Sequence, residues 1–361
     1  MFTCQILPRQ TGCEIIDSYL VKKKRKVTDI QQRLILNTFD KAPSPLFLKL
    51  ILDQACAWNS YSQEHELVLQ DSVRGAINML FDNLEAKFGS IVTSHTLGYF
   101  TIALNGISEN ELEDVLSCDD EALNDLYRYH DPPVEGIVRC PPVIVARIQY
   151  DIKEYIVERM SHGKYTKNWY HRQFVETAKA RYCTGLEGEK LHRNMCEIYM
   201  GENGVKRSIT LTRRKLTVPD ADRQVTPQPV EVENKRMLRC LPYHIVHAGQ
   251  QLPMTLSKDK CFCNLKFLSS FLQLCDVETL LDFFREFLER NNDAEVTKLH
   301  SFLSSCKSDL SKPLEMAISL MANIVPEEDN VYLKVSAQSS GKVPAVTEET
   351  FTDSCLPMHG P

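Results

Sequence analysis

Four side chains in the second half of the sequence have the chemistry of metal ligands. His244 and His247 form an HxxH pair, and Cys261 and Cys263 form a CxC pair. Zinc accepts imidazole nitrogens and thiolate sulfurs. The two pairs lie in different segments, however, and the CxC spacing is tighter than that of structural zinc sites. We therefore expect no bound metal ion.

One histidine has the surroundings of a ligand contact. His171 lies in the stretch NWYHRQF, at the end of a strand-like segment and the start of a helical one. An imidazole can donate a hydrogen bond, which suits a group that contacts a ligand. The residue is also explained as the cap of the helix that begins near Arg172, packed between Trp169 and Phe174. Both interpretations stay open at this point.

The sequence contains no complete catalytic motif. A phosphate loop of the form GxxxxGK[ST] is absent, as are HExxH, GxSxG and a paired CxxC. No glycine-rich turn between a strand and a helix replaces the phosphate loop. We therefore predict no catalytic residues and expect that the chain is not an enzyme by itself.

Composition narrows the class of protein. The chain has 361 residues, of which 43% are hydrophobic, enough for two or three compact units. A net charge of −6 gives no global attraction to nucleic acid or to an anionic membrane. The 13 cysteines have no regular spacing, which favours reduced thiols in the cytosol. No signal peptide or membrane span is recognised, so we predict a soluble, cytoplasmic protein.

A basic run leaves a second location open. Residues Lys22 to Lys26 read KKKRK, which is typical of nuclear localisation signals and of phosphate-binding patches. Such a run is more often a solvated loop between helices. The nucleus therefore stands as the alternative to the cytoplasm.

The first 89 residues are predicted to form a helical subdomain. Apolar residues recur at helical spacing over 13–21, 28–39, 46–55 and 68–88. Thr28 is expected to cap the second of these helices. Pro45 stands where it can open the third, since proline is tolerated in the first turn.

Residues 90–200 are predicted to form a winged-helix domain. Ser108 and Glu111 have the spacing of a capping box, and Ser117 with Asp120 repeats it. A strand pair follows, with its turn at residues 161–163, and then helices at 173–182 and 190–199. We expect an aromatic core of Tyr127, Tyr129, Trp169, Tyr170 and Phe174.

The remaining segments divide by composition. Residues 201–236 have few large apolar side chains and are predicted to be a loop or insertion. Residues 237–325 carry three amphipathic stripes, which indicates an α-helical solenoid or bundle. Residues 326–361 are polar and are expected to be disordered. The predicted fold class is therefore mainly α with one β-hairpin wing.

Winged helices often bind DNA, and nucleic-acid binding is the alternative function. The candidate recognition helix, SCDDEALNDLYRYH, carries four acidic side chains and the single basic residue Arg128. Acidic groups that face a duplex would repel its phosphates. We therefore predict no nucleic-acid partner.

Long, irregular strings resemble one protein family. The segment TLGYFTIALNGISENELEDVLSCDDEALNDLYRYHDPP, followed by YIVERMSHGKYTKNWYHRQF, resembles the winged helix of the NACHT- and WD-repeat-containing proteins. QRLILNTFDKAPSPLFLKLILDQACAWNSY is similar to the helical end of their NACHT module. ADRQVTPQPVEVENKRMLRCLPYHIVHAG and the helices to about 325 resemble the linker before the WD repeats.

The resemblance implies a function within a class of signalling ATPases, the STAND proteins. In that class a winged helix closes over ATP or ADP with magnesium in a nucleotide-binding core, and repeats sense a signal. This sequence lacks the front half of NACHT and the repeats, so it is expected to be a central fragment. We expect a regulatory and interaction module without turnover or a cofactor of its own. The partners implied are the NACHT core, the WD repeats and further copies of the chain.

The resemblance also assigns two cofactor-binding positions. His171 matches a histidine that reaches the β-phosphate of the nucleotide, and Pro45 matches a proline that packs on the adenine face. Ser44 stands where the family often has glycine. The alternative for Pro45 is a purely structural first-turn proline.

Overall fold

The structure, a computed structural model, describes residues 7–128, 131–132, 134–201, 206–212 and 215–305. The chain forms two compact units, residues 1–228 and 229–361. Helices dominate both, and the strands form two small antiparallel hairpins in the first unit. The predicted mainly α fold is confirmed.

The first unit begins with four helices, and side-chain caps set the starts of the second, third and fourth. Thr28 and Gln31 form a capping box, as the spacing predicts for Thr28. Ser44 accepts a hydrogen bond from the backbone N–H of Phe47, and Pro45 is the first residue of its helix. The helices are α1 (Arg9–Lys22), α2 (Asp29–Phe39), α3 (Pro45–Ala55) and α4 (Val73–Phe88).

A winged helix follows in the same unit. Its hairpin turns at His162 and Gly163, which both have positive φ, the requirement of a tight two-residue turn. Ile107 pairs with Lys167 and adds one residue of a third strand. The elements are α5 (Ser90–Ile102), α6 (Glu109–Cys118), α7 (Asp120–Leu126), α8 (Pro142–Asp151), β1 (Ile156–Ser161), β2 (Lys164–Trp169), α9 (Arg172–Tyr182) and α10 (Gly185–Tyr199).

One of the two predicted capping boxes is correct. Ser108 and Glu111 exchange the expected hydrogen bonds at the start of α6. The expectation for Ser117 is wrong, because its hydroxyl donates back to the carbonyl of Glu113 within α6. Asp119 caps α7 instead, by accepting from two backbone N–H groups.

Aromatic side chains form the core of the winged helix. The rings of Trp169 and Phe174 stack with centroids 5.2 Å apart, and both side chains are buried. Tyr127 is buried as well, whereas Tyr170 is only half-buried. Tyr129 lies outside the described residues.

A second hairpin occupies part of the segment that was expected to be a loop or insertion. Strands β3 (Arg207–Leu211) and β4 (Leu216–Ala221) pair there. Only Ile209, Leu211 and Ala221 of these strands are buried. The alternation of apolar residues is therefore too weak to reveal the strands in the sequence.

The second unit is helical. Phe262 packs on Phe284 and Phe287, with ring centroids 5.0 and 4.4 Å away. The predicted helix at 314–321 and the tail 326–361 lie outside the described residues. The helices are α11 (Lys235–Ala248), α12 (Met254–Ser257), which continues into a π-helical turn (Lys258–Phe262), α13 (Leu265–Leu274), α14 (Val277–Arg290) and α15 (Ala294–Ser305).

The described residues meet the requirements of neither a metal site nor a membrane-spanning helix. His244, Cys261 and Cys263 are buried. Across the part of the chain that the structure describes, no three histidine, cysteine or acidic side chains lie where they could share a metal ion. Within the same part, no helix is both long and apolar enough to span a bilayer.

Candidate functional site

The first four helices and the winged helix meet at one carboxylate. Asp53 of α3 accepts hydrogen bonds from the hydroxyls of Tyr19 and Tyr155. Lys49 Nζ lies 3.1 Å from Asp53 Oδ2 and 4.3 Å from the centre of the Tyr155 ring. We call these four residues the Asp53 junction. It ties α1 and α3 to the residue that precedes the hairpin.

Both tyrosines of the junction are held in their protonated form. Burial, followed by the charge of Asp53, raises the pKa of Tyr155. Burial and the hydrogen bond to Asp53 likewise raise the pKa of Tyr19. The two hydroxyls therefore remain hydrogen-bond donors at neutral pH.

A second polar contact fixes the winged helix to α4. Arg181 of α9 lies 2.6 Å from Asp82 and 2.8 Å from Glu85. The hydroxyl of Tyr182 donates to Glu85 at 2.6 Å. These contacts fasten the last turn of α9 to the second half of α4.

Stacked rings lead from the junction to His171. The ring of Tyr155 stacks on Phe174 at 4.9 Å and on Tyr170 at 6.5 Å. Tyr170 in turn lies 5.8 Å from the ring of His171. His171 is thereby placed at the edge of the junction, at the start of α9.

His171 is the N-cap of α9. Its Nδ1 accepts a hydrogen bond of 3.2 Å from the backbone N–H of Gln173. An Nδ1 that accepts carries no proton, so the neutral ring carries its proton on Nε2. Among the described residues, Nε2 makes no hydrogen bond. The ring of His171 is half-buried and contacts Tyr170. The predicted packing between Trp169 and Phe174 is wrong, because those two rings stack on each other.

Capping and ligand contact are therefore compatible for His171. The cap uses one ring nitrogen, and the other is left as a donor at a helix N-terminus. A helix N-terminus favours negative charge. The arrangement can donate a hydrogen bond to an anion without losing the cap.

Pro45 lies on the other side of the junction. It is exposed in the first turn of α3, two turns before Asp53, or about 12 Å along the helix axis. The structure thus places Pro45 and His171 on separate elements that the Asp53 junction holds together. Its position in the helix matches the structural reading of a first-turn proline.

A buried histidine–aspartate pair lies inside the winged helix. His95 Nδ1 is 2.6 Å from Asp119 Oδ2, and the same oxygen accepts from Tyr99 at 2.5 Å. Asn194 donates to the Tyr99 hydroxyl at 2.7 Å. Asp119 therefore supports two helices at once, since its other oxygen caps α7.

The charges of this pair stabilise each other. Burial opposes protonation of His95, but the hydrogen bond and charge of Asp119 outweigh burial and raise the pKa of His95 above 6.5. Burial likewise opposes ionisation of Asp119, and His95 with Tyr99 reverses that effect and lowers the pKa below 3.8. Glu121 and Lys190 are the other charged groups that face the histidine.

We expect this pair to make stability depend on pH. His95 binds its proton more tightly in the folded state, so its contribution is complete below pH 6.5 and is lost as pH rises through the raised pKa. Urea unfolding at a series of pH values measures the decline. In His95→Gln this part of the decline should disappear, and an unchanged slope in the variant would contradict the assignment.

The acidic residues at and near α7 all have hydrogen-bond or ion-pair partners within the protein. Asp119 is buried, Asp120 pairs with the buried Arg223 at 2.8 Å, and Glu121 pairs with Lys190. Asp125 accepts from two backbone N–H groups at the start of α5. These carboxylates therefore say little about nucleic acid, and the helix directly before the wing is α8. The absence of a nucleic-acid partner stays a prediction.

The basic run contacts the junction at one point. Lys23 lies 3.7 Å from Glu154 and 5.5 Å from the centre of the Tyr19 ring. The other residues of the run are exposed or at the end of α1. One of the five basic residues thus makes an ion pair and a cation–π contact.

A family profile described as "NWD1-like, winged helix-turn-helix domain" matches residues 59–189. The match begins before the predicted boundary at residue 90, and it includes α4 as well as the hairpin and α9. It also covers Tyr155 and His171, but not Asp53.

Named relatives match over a longer stretch. NACHT domain- and WD repeat-containing protein 1 of Homo sapiens is 30% identical over 302 residues, which cover 82% of this chain and 19% of that protein. The Mus musculus protein of the same name is 31% identical over 301 residues, with the same coverage. NACHT and WD repeat domain-containing protein 2 of Mus musculus is 30% identical over 200 residues, 55% of this chain and 11% of that protein. The chain thus spans about a fifth of the length of the first two relatives.

Proposed function

This chain belongs to the family of the NACHT and WD repeat-containing proteins, and on that basis we propose that it is a non-catalytic regulatory module. In this proposal the module couples the nucleotide state of a NACHT core to a sensor built from WD repeats. Its partners are these protein segments, and ATP or ADP with magnesium is a ligand of the core rather than of this chain alone.

The Asp53 junction is the observation that supports this function. A module that transmits a nucleotide state must move as one body, since loose elements would absorb the signal. Asp53 and Arg181 join α3 and α4 to the winged helix through hydrogen bonds and ion pairs. A displacement at the start of α9 would then be passed to α3.

His171 is the proposed contact to nucleotide. Its Nε2 donor is suited to a phosphate oxygen at the start of α9. One donor without a phosphate cradle holds an anion only weakly, so we expect this chain to bind ADP poorly by itself. Pro45 would contact the base in this arrangement.

A pair of substitutions separates the cap from the anion contact. His171→Asn keeps a good N-cap, but its side-chain amide ends about one atom short of the Nε2 donor, whereas His171→Ala removes both the cap and the donor. We expect millimolar ADP or pyrophosphate to shift the imidazole resonances of the wild-type chain in NMR spectra. Backbone amide shifts at Gln173 should follow in the wild type and vanish in both variants.

The controls keep folding and binding apart. His171→Asn should unfold at the wild-type urea concentration, while His171→Ala should lose about 1 kcal/mol of the free energy of unfolding. His162 in the turn of the hairpin is a histidine control that ADP should leave unchanged. An ADP response that persists in His171→Asn would refute the contact, and ATP hydrolysis by the purified chain would refute the non-catalytic role.

A further inference from the structure

A cavity of about 350 Å³ lies in the first unit beside the Asp53 junction. It is bounded by α3, by α4, by the loop between them and by the segment that follows α8. Asp53 and Tyr155 form part of its wall. The cavity is distinct from the start of α9, where the proposed nucleotide contact lies.

The residues around the cavity have a one-sided charge. Four of them are acidic, and none is a lysine, an arginine or a histidine. Three of the four reach lysines that stand outside the lining, namely Lys49, Lys87 and Lys23, at distances of 2.6–3.9 Å. The acidic residues are Asp53, Glu66, Asp151 and Glu154.

These lysines leave hydrogen-bond acceptors unused. Asp151 contacts Lys87 through Oδ2, and Glu66 accepts a backbone N–H through Oε2. Within the described ranges, neither Asp151 Oδ1 nor Glu66 Oε1 has a donor. Gln54 Oε1 is buried and accepts no hydrogen bond either. The cavity therefore has more acceptors than the protein has donors to satisfy them.

The rest of the lining is largely apolar and remains partly open to solvent. Trp58, Met79 and Leu80 are half-buried, and Val68 is 47% exposed. In contrast, the core residue Phe81 on the same helix is fully buried. An indole ring and aliphatic side chains thus line the same cavity as the carboxylates.

From this combination we infer that the cavity binds an arginine side chain of a protein partner. A guanidinium group is planar, always charged and offers five donors, which match the free carboxylate and amide oxygens. Its aliphatic stem and flat face can pack on Trp58 and Leu80. Lysine fits less well, because a single ammonium cannot satisfy several separated acceptors together. The site goes beyond the regulatory function proposed above and does not depend on it.

Trp58 supplies the signal for a binding experiment. The chain has two tryptophans, and Trp169 is buried in the winged helix. Trp169→Phe leaves Trp58 as the only tryptophan, whose fluorescence can be excited selectively. Titration with a short acetylated peptide that carries one arginine should quench Trp58 in a saturable way. The same peptide with citrulline has nearly the shape of arginine but no charge. It should bind at least about tenfold more weakly than the arginine peptide.

Two substitutions and a control locate the site. Asp151→Asn and Glu66→Gln each remove one carboxylate charge, and each should weaken arginine binding about tenfold. Asp282→Asn, on an exposed residue of the second unit that pairs with Arg285, should leave it unchanged. Calorimetric titration of the unmodified chain repeats the measurement if Trp169→Phe folds poorly.

The outcomes divide clearly. Equal binding of the arginine and citrulline peptides, or of an equivalent lysine peptide, would overturn the inference. So would the absence of saturation in both the fluorescence and the calorimetric titration. Loss of binding in the two cavity variants with retention in Asp282→Asn supports it.

Discussion

Asp119→Ala is expected to lower the free energy of unfolding of the first unit by about 4 kcal/mol. The substitution leaves the buried His95 without its counter-charge and Tyr99 without its acceptor. It also removes the cap of α7. Both tryptophans lie in the first unit, so urea unfolding followed by tryptophan fluorescence reports on this unit alone.

A neighbouring acidic residue is the matched control. Glu121 stands two residues away, and its side chain is 55% exposed where it pairs with Lys190. Glu121→Ala should therefore cost less than about 1 kcal/mol. Asp119→Asn keeps an oxygen for the cap but loses the charge, so its cost should lie between the two. If Asp119→Ala and Glu121→Ala unfold at the same urea concentration, the buried pair does not have the stabilising role described above.

Asp53→Ala is expected to have the second-largest effect, about 3 kcal/mol. Two tyrosine hydroxyls lose a charged acceptor, and Lys49 loses its nearest carboxylate. Because Tyr155 is buried, its hydroxyl cannot easily turn to water instead. The same fluorescence-detected unfolding measures the loss.

A double-mutant cycle shows whether the loss belongs to the junction. Tyr155→Phe removes one of the two hydrogen bonds, so the double variant with Asp53→Ala should cost at least 1 kcal/mol less than the sum of the single changes. Tyr165→Phe is the control, because that tyrosine is 65% exposed on the hairpin. It should change stability by less than about 0.5 kcal/mol. Strict additivity of Asp53→Ala and Tyr155→Phe would rule out a direct coupling.

Local features of the fold could be predicted from the sequence. The caps at Thr28 and Ser108 and the turn at 161–163 each depend on residues within a few positions of one another. Their hydrogen bonds are closed by the local backbone, so spacing alone identifies them. The predicted cap at Ser117 is wrong because spacing does not show whether a serine lies before a helix or late within one. A hydroxyl late in a helix can donate to the carbonyl of the preceding turn, as Ser117 does.

The centre of the candidate site could not be predicted in this way. Asp53 bonds to Tyr19, 34 residues earlier, and to Tyr155, 102 residues later. Nothing in the sequence around Asp53 shows these partners. The visible signal is that two charged residues, Lys49 and Asp53, interrupt the largely apolar helix LFLKLILDQA. A charge at such a position requires a partner, but only the tertiary fold decides which one.

The acidic residues near Asp119 were predicted to face solvent as an acidic recognition helix. In the fold they are instead helix caps and ion-pair partners. The buried Arg223, which pairs with Asp120, arrives from beyond the second hairpin. Because the sequence pattern does not predict the second hairpin, it does not show that Arg223 is brought next to α7 and offsets part of its negative charge.

The capping role of His171 links the first turn of α9 to the position of the protons on the imidazole ring. A second proton on the ring would occupy Nδ1, and the nitrogen could then no longer accept from Gln173. The cap and the Nε2 donor therefore depend on one neutral tautomer, and a doubly protonated ring would keep the donor but lose the hydrogen bond that closes the first turn of α9.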